Sequence, residues 1–114
     1  MRDRLPEPFS CDVQSGDGHV RVVPRGEIDL ASVDELKARL AELRARGSDR
    51  VILDLGEVTF MDSTGLRLVL GWDEEARRDG IDFALMPGQP VVQRLFEVTG
   101  LLDRLTFVEP PTRP

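Results

Sequence analysis

Val51-Ile52-Leu53-Asp54-Leu55 is apolar at every position but one and sits between two helix-length segments. A short run of this kind, lacking the alternation of a half-solvated strand, marks a strand covered on both faces. Helices have to supply that cover, so the run constrains the chain to an α/β arrangement. The other segments agree with it. Phe9 to Gln14 and His19 to Val23 are joined by Ser15-Gly16-Asp17-Gly18, a hairpin signal. Pro24 and Gly26 are expected to break the second strand near its end.

Ser32 to Arg46 reads as a helix. Ser32 with Glu35 three residues on makes a capping box, and Val33, Leu36, Leu40 and Leu43 form one narrow stripe. Glu35–Arg39 and Glu42–Arg46 are spaced to pair on its outer face, and Gly47 is the stop. Gly56 to Met61 is predicted as a loop. Asp62-Ser63-Thr64-Gly65 opens a second helix reaching about Arg78, and Ile81 to Met86 is a strand with Ile81, Phe83 and Leu85 on one face. Pro90 starts a third helix that ends at Gly100, and Thr106-Phe107-Val108 reads as a last short strand. The predicted order is β-β-α-β-α-β-α-β. It describes one α/β domain over residues 9–109, with a mixed β-sheet and helices packed on it. Residues 1–8 and 110–114 are read as flexible ends.

The whole sequence has 114 residues and a formal net charge of −6. That length suits one domain, and that charge argues against a sequence-independent grip on nucleic acid or anionic lipid. Cys11 is the single cysteine, so no intramolecular disulfide can form, and a reducing, cytoplasmic setting is expected. No apolar run approaches the ~20 residues that span a bilayer, and the first residues lack the apolar core of a signal peptide. Cys11 is expected to pack at a strand, Asp54 to serve structure, and His19 to be solvated at a turn edge.

Chemistry in α/β proteins gathers where a strand runs into a helix N-terminus, and Asp62-Ser63-Thr64-Gly65 occupies such a place. The first amides of a helix are unpaired, so a hydroxyl there caps the helix and a phosphate there meets donors. Ser, Thr and Asp are also the ordinary N-cap residues, so the tetrapeptide alone reads as a structural cap. The helix that follows adds a second signal. Leu66, Leu68, Val69, Leu70 and Trp72, at about 100° per residue, span an arc of roughly 200°, against about 100° for an ordinary surface stripe. Either its first turns are buried on two sides, or part of that surface is an apolar docking patch beside a modifiable hydroxyl.

Val51-Ile52-Leu53-Asp54-Leu55 through Phe60-Met61-Asp62-Ser63-Thr64-Gly65-Leu66 resembles the core of the STAS domain, and in particular the bacterial anti-sigma factor antagonists. Gly26-Glu27-Ile28-Asp29 resembles that family's turn before the first helix. Pro90 to Phe96, followed by Thr99-Gly100-Leu101, resembles its last helix and exit. The resemblance implies that Ser63 is a phosphorylation site. It implies as partners an anti-sigma factor serine kinase, bound only by the unmodified protein so that a sigma factor is freed, and a serine phosphatase that restores the binding form. Together with the apolar arc, it implies a partner-binding surface made from Asp29, Met61, Asp62, Ser63, Thr64, Gly65, Leu66 and Arg67. Arg67 stands where many relatives carry glycine, and Trp72-Asp73 where a basic-aromatic pair is common.

Catalysis is not expected. The sequence has no Gly-x-x-x-x-Gly-Lys loop, no paired Gly-x-Gly motif after a strand and no Cys/His cluster with zinc spacing, so no cofactor or metal is expected. Two other readings stay open: a STAS subunit of a stress-signalling scaffold or lipid transporter, and a small enzyme binding a substrate phosphate or nucleotide at the helix N-terminus. No His, Lys or Cys lies near Ser63 in sequence to serve the second. The chain is expected to be a monomer or weak dimer.

Overall fold

The computed structural model describes residues 8–16 and 18–109. The flexible ends expected at 1–8 and 110–114 fall outside them, apart from Pro8. The elements in chain order are β1 (Ser10–Gly16), β2 (His19–Ile28), α1 (Val33–Ala45), β3 (Arg50–Asp54), β4 (Val58–Met61), α2 (Ser63–Asp79), β5 (Asp82–Met86) and α3 (Pro90–Val98). The mixed α/β domain expected from the sequence is present.

The sheet runs β1-β2-β3-β5, antiparallel between β1 and β2 and parallel from β2 onward. Crossovers through α1 and then α2 join the parallel strands, and both helices pack into one core; the right-handed sense usual for such connections puts them on one face. Cys11, Val22, Val51, Leu53, Phe83 and Leu85 point to that face and pack with Leu36, Leu40 and Leu43 of α1, Leu66, Val69 and Trp72 of α2, and Val92 and Phe96 of α3. Trp72 and Phe83 meet as a tilted aromatic pair with centroids 4.9 Å apart. The other face carries cross-strand ion pairs. Asp12 meets Arg25 at 3.2 Å, Arg21 meets Asp54 at 2.8 Å, and Arg50 meets Asp82 at 3.2 Å. Val23, Ala84 and Met86 lie among them and are buried outside the main core cluster.

Several local expectations are corrected. β2 does not end at Pro24 or Gly26. It continues to Ile28 because Gly26, at φ 100°, takes up an irregularity in the ladder that a side chain would resist, and the strand then pairs with β4. The loop expected over 56–61 contains β4, whose Val58, Phe60 and Met61 lie parallel to Gly26, Glu27 and Ile28. The capping box at Ser32 is not formed. The Ser32 hydroxyl instead donates to the Glu27 carbonyl at 2.6 Å and accepts from the Asp29 N–H at 3.0 Å. Neither outer-face pair expected on α1 is made; Arg39 pairs with Glu42 at 3.4 Å. The last expected strand is a single bridge, Phe107 to Leu85. His19 is half-buried at the start of β2. Gly47 does terminate α1, at φ 80°, and Cys11 is buried against the core as expected.

Candidate functional site

Parallel strands β2 and β4 end side by side, and the Asp62 N–H donates to the Ile28 carbonyl at 3.3 Å. Asp29, which follows Ile28, is thereby held beside the start of α2. The Asp29 carboxylate folds its own turn, accepting from the Ala31 N–H at 3.0 Å and the Ser32 N–H at 3.3 Å. Two loop-to-helix turns therefore share one rim at the carboxyl ends of parallel strands, the ordinary location of a site in this class of fold.

Asp62, not a hydroxyl residue, caps α2. Its carboxylate accepts from the Thr64 N–H at 2.9 Å and the Gly65 N–H at 3.3 Å, and its carbonyl takes the Leu66 N–H at 3.1 Å. The tetrapeptide does contain the structural cap, and of its candidates Asp62 serves and Ser63 does not. Ser63 is the first helical residue, it is exposed, and its hydroxyl has no partner among the described residues. The donors expected for a phosphate at this terminus are reduced to the Ser63 N–H, because Asp62 accepts from those of Thr64, Gly65 and Leu66.

Gly65 explains how closely the helix start can sit. A Cβ at that position would stand 2.6 Å from Met61 Cγ and 2.8 Å from Ile28 Cγ2. Met61, Gly65 and Leu66 are buried, so these three of the eight residues expected to meet a partner belong to the floor of the site. Asp29, Asp62 and Thr64 are half-buried at its surface, and Ser63 and Arg67 are exposed. The broad apolar arc of α2 reflects burial on two sides. Leu66, Val69 and Trp72 are in the core, and Leu68 and Leu70 are packed against it. Asp73, which interrupts the arc, is buried and paired with Arg77 at 2.9 Å.

Apolar surface is offered by two residues that sequence reasoning missed. Leu30, next to Asp29 in the turn, is 78% exposed, and Phe60, in β4 three residues before Ser63, is 43% exposed. The signal for Leu30 is visible in retrospect as one large apolar residue within a polar turn. Phe60 could not be placed without β4. Beyond Ser63, the α1–α2 groove opens, about 210 Å³ in volume, lined by Lys37, Arg44 and Arg67 with Leu68 and Trp72. Arg44 is held there by Glu75 at 2.6 Å and by Asp79.

Among the described residues no group of three or more His, Cys, Asp or Glu is placed to hold a metal ion, and no helix is long and apolar enough to cross a membrane. Cys11 stands apart from this rim, and burial raises its thiol from 9.0 to about 11.

Residues 10–112 match the STAS domain family. The chain is 35% identical over 95 residues to the anti-sigma-B factor antagonist of Bacillus subtilis, covering 83% of this chain and 86% of that one. A crystal structure of an anti-sigma factor antagonist from Mycobacterium paratuberculosis superposes with a TM-score of 0.81 at 26% identity, over 95% of this chain and 92% of that one. The unphosphorylated form of the antagonist SpoIIAA has the same fold, with a TM-score of 0.75 at 23% identity over 90% of this chain and 89% of that one. By family match, by identity to a curated relative and by fold, the chain belongs to the STAS-domain family of anti-sigma factor antagonists.

Proposed function

We propose that this protein is an anti-sigma factor antagonist controlled by phosphorylation of Ser63. Unmodified, it docks an anti-sigma factor serine kinase and so releases a sigma factor. The kinase then modifies Ser63 and ends the complex, and a serine phosphatase restores the docking form. One observation carries the assignment of Ser63. Asp62 performs the capping, so the exposed Ser63 hydroxyl is spared for modification. The docking surface is Asp29, Asp62, Ser63, Thr64 and Arg67 with Leu30 and Phe60, over a floor of Met61, Gly65 and Leu66. Phosphorylation adds about −1.5 to −2 charges next to the Asp62 carboxylate. A partner covering the rim would have to desolvate that charge, which is costly without a matching cation. The chain acts by binding, without catalysis, cofactor, nucleic acid or membrane, as a cytoplasmic monomer or weak dimer over residues 9–109.

The test is incubation of the purified protein with ATP and candidate anti-sigma kinases from its source, followed by mass spectrometric mapping. A single phosphate on Ser63, absent in Ser63→Ala, is the expected result. Stable binding to a kinase with no phosphate transferred would replace the switch with a constitutive antagonist or a scaffold subunit. Absence of any kinase partner would reject the antagonist reading.

A further inference from the structure

A phosphate on Ser63 needs a counter-charge, and the terminus of α2 is a poor source of one. The Thr64 and Gly65 amides already serve the Asp62 carboxylate, and the Leu66 amide serves the Asp62 carbonyl. The Ser63 N–H is the first-turn donor left over. Asp62 itself adds a repelling negative charge beside the modified side chain. The answer lies one turn down the helix. Arg67 is at i+4 from Ser63, so the two share a face. Arg67 lines the mouth of the α1–α2 groove, and a helical side chain leans toward the N-terminus, so Arg67 is within reach of the turn that carries Ser63. An anion N-terminal to a cation is the favourable sense of such a pair. Arg67 is also available. It is exposed and makes no ion pair or hydrogen bond among the described residues, whereas Arg44 in the same groove is held by Glu75 and Asp79.

Resting on the assignment of Ser63 as phosphoacceptor, we propose that Arg67 is the intramolecular clamp for its phosphate. The modified side chain turns down α2 onto the Arg67 guanidinium at the mouth of the α1–α2 groove, away from the occupied terminal amides. The switch then changes the rim twice. It adds a phosphate, and it withdraws from any partner the one unpaired cation of α2's first two turns. Lys37, across the groove on α1 and likewise without an ion pair, contributes only at longer range.

The test is a phosphorus NMR titration of protein carrying phosphoserine inserted at position 63 during translation, in the wild-type background and with Arg67→Gln, Arg67→Lys or Lys37→Gln. The second pKa of the phosphate is expected to lie roughly 0.3 unit lower with Arg67 than in Arg67→Gln at low salt. Arg67→Lys should keep most of that difference, and about 1 M salt should remove most of it. Equal values in wild type and Arg67→Gln would overturn the clamp. So would a shift lost in Lys37→Gln and retained in Arg67→Gln, which would give the counter-charge to α1. Amide spectra of the unmodified variants report that each is folded. Because the phosphoserine is installed without a kinase, this result is independent of whether any kinase modifies Ser63. A chain that no kinase modifies would defeat the switch and leave the titration as it stands.

Discussion

At the scale of single residues, Asp62 and Ser63 divide two jobs that the sequence leaves merged. Both are ordinary capping residues, and only the hydrogen bonds show that Asp62 caps while Ser63 is free. The division predicts an asymmetry. Asp62→Ala should cost about 1 kcal/mol in urea unfolding, the usual worth of an N-cap. Ser63→Ala should stay within about 0.5 kcal/mol, as for a surface change that breaks no contact. Equal costs would return the cap to Ser63. Gly65→Ala belongs to another class, since its Cβ would meet Met61 and Ile28 well inside contact distance. Overpacking of that kind should cost about 1–3 kcal/mol, read by the same unfolding curve. The Cys11 thiol, raised from 9.0 to about 11 by burial, should stay unmodified by a thiol reagent at pH 8 until the protein is unfolded. Its folded pKa lies above its unfolded one, so its contribution to stability is full below pH 9 and is lost as the pH rises from 9.0 toward about 11. Urea midpoints for wild type and Cys11→Ala across that window separate this loss from other alkaline effects.

At the scale of elements, periodicity and stop signals located α1, β3, α2, β5 and α3 to within a residue or two. Those elements either bury a clean stripe or form a short apolar run, and each pattern has one dominant solution. β4 was hidden for a physical reason. Val58-Thr59-Phe60-Met61 is four residues long, buried at its ends and exposed in the middle, so it offers neither alternation nor an apolar run. Its pairing is set by the distant Gly26–Ile28 segment, which no local reading supplies. The extension of β2 past Pro24 was missed for the same reason. The candidate site was legible as a motif at Asp62-Ser63-Thr64-Gly65, but its exposed apolar residues depended on elements the sequence did not reveal. Ser32 shows how a correct helix start can have the wrong chemistry. The hydroxyl ties the end of β2 to the α1 turn, through the Glu27 carbonyl and the Asp29 N–H, instead of closing a box with Glu35. Ser32→Ala should therefore cost about 1 kcal/mol, because it removes the hydroxyl that serves the part-buried Glu27 carbonyl and Asp29 N–H. Glu35→Gln should be nearly silent in the same denaturation experiment, where a capping box would make both matter.

At the scale of the molecule, the site is a rim on a rigid body. β2 runs through the sheet as its longest strand, pairing with β1 on one side and with β3 and then β4 on the other. Its end is bonded to Asp62, so the Asp29 turn and the start of α2 are fixed to the same strand. Core packing reaches up to this rim, since Met61, Gly65 and Leu66 are buried directly beneath it. Ser63, by contrast, touches nothing whose loss would propagate inward. A bistable element is what converts a local charge into a global change, and among the described residues nothing is hydrogen-bonded to this hydroxyl to pass the charge on. Phosphorylation should therefore act by altering the docking surface while the fold stays as it is. The prediction is read in heteronuclear amide spectra taken before and after modification of Ser63. Shifts should be confined to residues 56–72, with smaller ones in the neighbouring turn at 27–33 and at Lys37 across the groove. Residues of β1, β5 and α3 should keep their positions, and the urea midpoint should move little. Shifts spreading into β5 and α3 would mean that the phosphate reorganises the core, and the blocked-rim account of the switch would fail with them.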